Sequence, residues 1–291
     1  MKYIFLLNTF SLKENTENLK RKTEKVCQEK NLDFIIEKNS EEYSTEEIIR
    51  KYKNKKVILL PVGGDGTINR VLNAMDRENN ILGYIPYGTG NDFYRANKEL
   101  LKDGINKIDL VKINNMYFIN VACFGIDAEI GNHSDIIHSN WIPKNSRYKI
   151  GILYHFFHYQ PKKLKITINN ETYEEEYTTV CVCNARYYGG GYKIAPNSSL
   201  TDGLLDIYLV SKTKKFEMMQ LIAGIKYALH EKSNKTRKYQ SNRIKIESET
   251  SIECNIDGER LIANTFSIEV IPKGIQVYYN QELINKITMK G

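Results

Sequence analysis

The chain has 291 residues, 41% of them hydrophobic, and its 42 Lys and Arg against 35 Asp and Glu give a formal net charge of +7. This length and apolar content argue against a disordered chain and indicate one large domain or two modest ones. Five cysteines, an odd number with no Cys-x-x-Cys pair, argue against a disulfide framework and a structural zinc site. No apolar run approaches the ~18 residues of a membrane span, and the apolar N-terminus is too short for a secretory signal. We therefore expect a cytoplasmic protein.

The first 110 residues alternate strand and helix patterns. Apolar runs predict strands at 3–8, 33–37, 57–62, 81–86 and 108–113. Helical spacing predicts helices at about 14–29, 45–53, 67–77 and 92–102, and the second carries a capping box from Ser44 to Glu47. Apolar strands that alternate with helices are typical of a parallel sheet covered on both faces. Ligands of such sheets bind beyond the carboxyl ends of the strands.

After about residue 112 the pattern changes to strands joined largely by turns. Strands are predicted at 117–123, 164–169, 173–183, 204–210, 243–247, 251–256, 265–271 and 275–279, with turns such as Asn169-Asn170 and Pro272-Lys273-Gly274. This pattern indicates an antiparallel β-sandwich. One amphipathic helix interrupts it, and we interpret its apolar face as core packing. That face carries Met218, Leu221, Ile222, Ile225, Ala228 and Leu229.

The sequence therefore predicts an α/β protein of two domains. The first, at 1–112, is a Rossmann-like three-layer α/β domain, with residues 280–291 as a candidate completion. The second, at 113–279, is an antiparallel β-sandwich.

Two glycine-rich turns follow neighbouring predicted strands. Residues 63–67 read Gly-Gly-Asp-Gly-Thr between an apolar run and a helix pattern, which favours phosphate binding at the helix N-terminus. Asp65 would repel a phosphate unless a divalent cation stood between them, so a metal-nucleotide is indicated. Residues 86–93 read Pro-Tyr-Gly-Thr-Gly-Asn-Asp-Phe. Either turn alone could be structural, but two turns that each hold an Asp, Asp65 and Asp92, predict one bipartite site.

Five ordered motifs resemble those of the bacterial diacylglycerol kinase and related lipid kinase family, over residues 2 to about 280. They are Gly63-Gly64-Asp65-Gly66-Thr67-Ile68-Asn69, Pro86 to Phe93, Phe124-Gly125-Ile126-Asp127, Ala195-Pro196 with Asp202-Gly203-Leu204-Leu205-Asp206, and Asn255-Ile256-Asp257-Gly258-Glu259. NAD kinases and phosphofructokinases share the first signature, so the second and last motifs carry the resemblance.

The resemblance implies a nucleotide domain followed by a β-sandwich, with ATP and a lipid hydroxyl meeting in a cleft. It also implies that Asp65, Asp92 and Asp127 form an acidic, water-bridged group around a catalytic Mg²⁺. The residues expected to hold ATP are Asn8, Ser11, Asn39, Gly63, Gly64, Asp65, Gly66, Thr67, Ile68, Asn69, Thr89, Gly90 and Asn91.

Two carboxylates in the last motif are candidates for the base that deprotonates the lipid hydroxyl. The resemblance places the proton acceptor in this turn, and we favour Glu259 with Asp257 beside it. Isolated, Asp-Gly is also a favoured hairpin pair, which would make the turn an ordinary one. Because phosphoryl transfer depends on positioning and charge neutralisation, loss of either should lower kcat more than ATP affinity.

A further cation site is implied by resemblance to some family members. It would use the Asp202 side chain with the carbonyl groups of Ser199 and Leu204 to hold a structural Mg²⁺. A plain Asp-Gly turn is the alternative.

The chain departs from the family pattern at two places. Asn8-Thr9-Phe10-Ser11-Leu12 stands where Asn-Pro-x-Ser-Gly is usual, so the loop is less pre-set. Arg70 replaces the usual Glu near a helix N-terminus, where the dipole disfavours a cation. Three interpretations of Arg70 are open: it binds a phosphate, it pairs with an acidic neighbour, or it marks a changed or weakened activity.

Two basic segments, 144–165 and 226–245, predict contact with an anionic membrane surface. The first contains aromatic residues, which are typical of a bilayer interface, although a solvated basic face and core packing are alternatives. We expect peripheral attachment at the inner membrane face and no nucleic-acid partner; a homodimer is an open option.

The favoured function is an ATP- and Mg²⁺-dependent lipid kinase, with diacylglycerol as the foremost substrate. The alternatives are a kinase of a soluble substrate such as NAD, and a nucleotide- or lipid-binding homologue with weakened catalysis.

Overall fold

The computed structural model describes residues 1–12, 16–40, 43–133, 154, 156–225 and 227–288. The chain divides into two units, Met1–Leu110 with Pro272–Gly291, and Val111–Ile271. The return to the first unit thus begins before residue 280, because one long strand contributes residues to both units.

The strands of the described chain are β1 Lys2–Leu7, β2 Phe34–Lys38, β3 Val57–Gly63, β4 Asn80–Leu82, β5 Ile85–Pro86, β6 Gly104–Ile113, β7 Met116–Phe118, β8 Val121–Gly125, β9 Lys162–Ile168, β10 Glu171–Cys183, β11 Leu205–Ser211, β12 Thr236–Ser241, β13 Arg243–Ile256 and β14 Glu259–Tyr279. The helices are α1 Thr9–Leu12, α2 Thr16–Glu29, α3 Thr45–Arg50, α4 Asp65–Ala74, α5 Asp92–Leu100, α6 Ile126–His133, α7 Lys215–Ile225 and α8 Gln281–Thr288, with a 3₁₀ helix at Leu229–Lys232.

A parallel sheet forms the first unit. Its strands lie in the order β2, β1, β3, β4, and Val277 of β14 pairs in parallel with Leu82 of β4. All seven residues of β3 are buried, as expected of a central strand in a parallel sheet covered on both faces. The predicted capping box is confirmed, because Ser44 Oγ accepts from the Glu47 N–H at 3.2 Å and Glu47 Oε2 accepts from the Ser44 N–H at 2.8 Å.

The second unit is built from antiparallel strands in the order β12, β11, β10, β8, β13, β14. The long strands β10 and β13 each pair with β9 over one part of their length and with β8 over another, so they pass between two layers of a sandwich. Apolar side chains fill the space between the layers; the Phe124 and Phe266 rings, for example, meet edge to face at 4.9 Å.

Several predicted boundaries were wrong. The predicted strand at 81–86 is two short strands, β4 and β5, which both pair with β3. The predicted turn at 272–274 does not interrupt β14. Instead Lys273 has a φ of +52° and its N–H donates to Asp109 Oδ1 at 2.7 Å, so the strand is locally distorted and continues. The sequence patterns did not predict the strand β12 or the helices α1, α6 and α8.

Candidate active site

The two glycine turns of the first unit touch each other. The Tyr87 N–H donates to the Gly63 carbonyl at 2.9 Å. A Cβ on Gly88 would lie 2.5 Å from Gly64 Cα, so no side chain fits between the turns. The two turns therefore pack against each other and glycine is required at the point of contact, while their role as one bipartite ligand site stays a prediction.

Asp65 connects the first turn to the helix that follows the second. Its Oδ2 accepts from the Asp92 N–H at 3.0 Å and its Oδ1 from the Phe93 N–H at 2.9 Å. The carboxylate thus caps the N-terminus of α5, where negative charge is favourable. The Asp92 side chain is buried, and its Oδ1 lies 3.9 Å from Arg95 Nε. Asp65 and the Asp92 backbone therefore lie together, as the bipartite site requires.

Polar side chains at the carboxyl ends of β1, β2 and β3 form a network. Asn8 Nδ2 donates to Thr67 Oγ1 at 3.1 Å, and Asn39 Nδ2 donates to Asn8 Oδ1 at 3.2 Å. The Thr9 N–H donates to Asn39 Oδ1 at 2.7 Å. The network brings three predicted nucleotide-binding residues together even though the first loop lacks its usual Pro and Gly. The Ser11 side chain lies outside the described residues.

The remaining predicted nucleotide-binding residues differ in how a ligand could meet them. Ile68 and Asn69 are buried, so their side chains serve the interior of the unit. Asn91 closes its own turn, because its side chain accepts from the Gly88 N–H and donates to the Gly88 carbonyl. Thr89 is exposed and Gly90 partly exposed, as are Gly64 and Gly66 at the start of α4. Backbone groups and Thr89 are thus the accessible surface of the turns.

In the second unit, Asp257 and Gly258 are the central residues of a two-residue hairpin between β13 and β14. Both have positive φ, +48° and +92°, as the favoured hairpin turn demands. The Asp-Gly pair therefore forms the hairpin turn that its sequence favours, and the catalytic role of this turn stays a prediction.

The Asp257 carboxylate also has a second structural role. It accepts three buried backbone N–H groups, from Ile119 at 2.9 Å, Asn120 at 3.1 Å and Val121 at 2.9 Å. These bonds fix the start of β8 against the turn. Asp257 thus anchors residues 119–121 to the turn.

Glu259 follows the hairpin as the first residue of β14 and is partly exposed. The turn is supported by Asn255, whose Oδ1 accepts from the Gly258 N–H at 3.2 Å and whose Nδ2 donates to Asn132 Oδ1 at 2.8 Å. The last motif thus consists of a turn, the Asn255 and Asp257 side chains that hold it, and the Glu259 carboxylate, which is more exposed than that of Asp257.

Asp127 lies in the first turn of α6, at the wall of a cavity in the second unit. Its Oδ2 accepts from Thr179 Oγ1 at 2.6 Å and lies 3.7 Å from Cys181 Sγ. Burial raises the pKa of this carboxyl above its ordinary value, and the bonds from Thr179 and Cys181 oppose that rise.

The space between the atoms that line this cavity is about 470 Å³, part of which is open to solvent. Its walls are mostly apolar, and α7 supplies Met218, Leu221, Ile222 and Ile225. Buried His230 also lines it, and burial lowers the pKa of its imidazole.

The sequence patterns did not predict the cavity or the polar residues Thr179 and Cys181 in its wall. The stripe on α7 was interpreted as core packing, because wall and core residues have the same apolar spacing. Thr179 and Cys181 were not selected, since nothing in a strand pattern distinguishes them.

The predicted structural Mg²⁺ site would use Asp202 with Ser199 and Leu204. Asp202 Oδ1 accepts from the Leu204 N–H at 3.1 Å beside Gly203, whose φ is +72°, so the segment forms a turn. The structural Mg²⁺ site with Ser199 stays a prediction. Half of the basic segment 144–165, residues 144–153 and 155, lies outside the described residues. In the part of the chain that the structure describes, no helix is both long and apolar enough to cross a membrane.

Comparisons with known proteins match nearly the whole chain. Residues 2–116 match the diacylglycerol kinase catalytic domain, and residues 120–279, more than half of the chain, match the YegS C-terminal NAD kinase beta sandwich-like domain. This chain belongs to the bacterial diacylglycerol kinase and lipid kinase family. As a member of that family it is a lipid kinase, a phosphotransferase.

Named relatives of this lipid kinase agree in class. A protein named "Diacylglycerol kinase" from Staphylococcus haemolyticus (strain JCSC1435) is 29% identical over 267 residues, which cover 82% of this chain and 78% of that one. Another with that name, from Bacillus subtilis (strain 168), is 28% identical over 69% of this chain and 71% of its own. The crystal structure of a diacylglycerol kinase from Bacillus anthracis str. Sterne superposes with a TM-score of 0.71 over 97% of this chain and 98% of that one; at 22% identity it supports the fold.

Proposed function

We propose that this lipid kinase transfers the γ-phosphoryl group of ATP, in the presence of Mg²⁺, to the hydroxyl of diacylglycerol, forming phosphatidic acid. The observation that carries the substrate class is the cavity of the second unit. Its walls are mostly apolar and one partly buried carboxyl, that of Asp127, lies at its edge, a combination that suits an acyl chain with a polar head. NAD has no alkyl chain to lie along these walls.

The glycine turns of the first unit would hold the nucleotide. Thr89 and the backbone of Gly64 and Gly66 are accessible there. The Thr67 N–H of α4 donates to the Gly64 carbonyl at 3.0 Å, and the N–H groups of Asp65 and Gly66 precede this bond at the helix N-terminus, where a phosphate is favoured. Each Asp65 oxygen accepts one N–H, which leaves lone pairs for water or metal. This donor set fits a Mg²⁺ that keeps several waters, and when bound the ion would neutralise charge on the phosphates.

Proton removal from the lipid hydroxyl is assigned to Glu259. The Asp257 oxygens already accept three N–H groups, so protonating that carboxylate would cost the anchor of β8. Glu259 is the more exposed of the two carboxylates. It would accept the proton as the hydroxyl oxygen attacks phosphorus and the bond to ADP breaks. Asp127 would orient the lipid head, and its place in the group around the catalytic Mg²⁺ stays a prediction.

The cavity can be tested by filling it. Leu221→Trp should raise KM for long-chain diacylglycerol by about tenfold and leave KM for ATP unchanged, since bulk is added only to the lipid wall. Ile262→Trp, at an exposed residue of β14, is the matched control and should behave as wild type. Equal KM for the lipid in Leu221→Trp and wild type would remove the cavity from the substrate path.

A further inference from the structure

Helix α7 covers the cavity and presents apolar side chains on its other face too. Met218, Ile222 and Ile225 line the cavity. Phe216 and Met219 point away from it, and their exposed fractions are 67% and 51%. Exposed positions 216, 219, 220 and 223 follow helical spacing, and the run from 218 to 225 contains no charged residue.

A surface helix of a globular protein usually carries charged residues on its outer face. An outer face with Phe and Met at its centre therefore needs an apolar environment of its own. Beyond the helix end, Tyr227 and Leu229 are exposed as well, at 71% and 51%. These four residues, Phe216, Met219, Tyr227 and Leu229, are called the outer patch below.

A second exposed aromatic lies in a segment that is tied to the start of α7. Lys215 Nζ donates to the carbonyls of Phe156 and Tyr159, both at 2.8 Å. Phe156 packs under the helix with Met218, while its neighbour Phe157 is 56% exposed. The apolar surface thus extends from the helix to this segment.

The surroundings of the outer patch are basic. Residues 214–238 contain seven Lys or Arg and two Glu. Among them Lys214 and Lys232, at the two ends of the helical region, are exposed. An apolar patch flanked by lysines is the composition of an interfacial helix on an anionic membrane, where lysines attract the headgroups and the apolar side chains enter the interface.

We propose that the outer face of α7 rests in the interface of an anionic phospholipid bilayer, so that the lipid substrate passes from the bilayer into the cavity on the inner face of the same helix. The inference rests on the proposed lipid substrate for its second half. One helix then separates the membrane from the acyl cavity. Helix α7 follows the first predicted basic segment, 144–165, and ends where the second, 226–245, begins.

The test is binding to vesicles of equal parts phosphatidylglycerol and phosphatidylcholine, compared with phosphatidylcholine alone. Phe216→Ser with Met219→Ser should weaken cosedimentation with the anionic vesicles by at least about tenfold, because the inserted apolar area is lost. Ile262→Ser, which is 52% exposed on β14, is the matched control and should bind as wild type. Unchanged binding of the double variant would overturn the proposal.

A fluorescent label at residue 219 reports directly whether this residue enters the membrane interface. All five native cysteines are buried, so Met219→Cys can be labelled selectively with an environment-sensitive fluorophore. Its emission should shift to the blue on anionic vesicles and be quenched by nitroxide lipids, whereas a label at Ile262→Cys should not respond. A label at residue 219 that stays in water on vesicle-bound protein would overturn the proposal. A shift from dimer to monomer in the double variant, with vesicle binding intact, would assign the outer patch to a second copy and would also overturn it.

Activity distinguishes this inference from the function it rests on. The double variant should phosphorylate monomeric short-chain diacylglycerol within about twofold of wild type but lose turnover of the long-chain lipid in vesicles. Loss on both substrates would place the outer patch in the active site and contradict the inference. If wild type phosphorylates neither lipid, the proposed function fails, while vesicle binding and the label still decide whether α7 contacts the membrane.

Discussion

Replacing Asp257 tests whether the last motif is a structural anchor or the catalytic base. Asp257→Ala leaves the N–H groups of Ile119, Asn120 and Val121 buried without their acceptor. Each orphaned N–H costs about 1 to 3 kcal/mol, so the variant should lose at least ~3 kcal/mol of unfolding free energy. Domain stabilities are only ~5–15 kcal/mol, so this is a large fraction. Asp257→Asn keeps one acceptor oxygen and should lose about 1 to 3 kcal/mol.

The matched variant is Glu259→Gln. It should keep its unfolding free energy within about 0.5 kcal/mol of wild type, because Glu259 lies at a partly exposed strand start. Its kcat should fall by ~10²-fold or more, as expected when a general base is lost, with KM for ATP nearly unchanged.

The assays are urea unfolding and hydrogen exchange by mass spectrometry. Because the chain has two units, a single unfolding curve can mix transitions, and exchange in a peptide spanning 119–121 reports the anchor directly. Exchange there should accelerate in Asp257→Asn and stay as in wild type in Glu259→Gln. The reasoning is refuted if Asp257→Asn is as stable and as protected as wild type yet has lost turnover.

Three further predictions follow from the geometry. Burial raises the pKa of Asp127 in the folded protein above the value in the unfolded chain. Below the ordinary pKa of 3.8 this shift has no effect on the free energy of unfolding. As the pH rises towards the folded-state pKa it lowers the free energy of unfolding progressively, and above that pKa the loss is constant. Asp127→Asn should therefore melt at a higher temperature than wild type at pH 7, with the difference shrinking towards pH 4; a constant difference would contradict this. Gly88→Ala should lose both stability and ATP affinity, because its Cβ meets Gly64 Cα at 2.5 Å. Gly64→Ala, whose Cβ has an ordinary 3.4 Å contact, should stay folded and lose only ATP affinity in calorimetry; normal affinity would remove this backbone from the nucleotide site. Asp65→Ala should weaken the cap of α5 and abolish turnover, and unchanged turnover would exclude the carboxylate from catalysis.

Features set by local chemistry were predictable. The capping box at Ser44, the apolar run of β3 and the Asp-Gly hairpin each depend on a few adjacent residues, and each is present in the structure. The contact between the two glycine turns was also predictable, because the carboxyl ends of neighbouring parallel strands meet at one edge of a sheet.

Features set by distant partners were not predictable. Asp65 caps a helix that begins 27 residues later, and Asp257 anchors N–H groups more than 130 residues away, so no local pattern reveals either bond. The strand β14 continues through a Pro-Lys-Gly sequence because Asp109 accepts the Lys273 N–H. The apolar stripe of α7 predicts a buried face, but the spacing is the same for a packed core and for the wall of a cavity.

The central claim is tested most directly by incubating the purified protein with γ-labelled ATP, Mg²⁺ and a panel of acceptors: diacylglycerol, other hydroxyl lipids and NAD. The account predicts label in phosphatidic acid, none in NAD, and loss of that label in Glu259→Gln. Label in NAD alone, or in no acceptor while ATP binds normally, would contradict it.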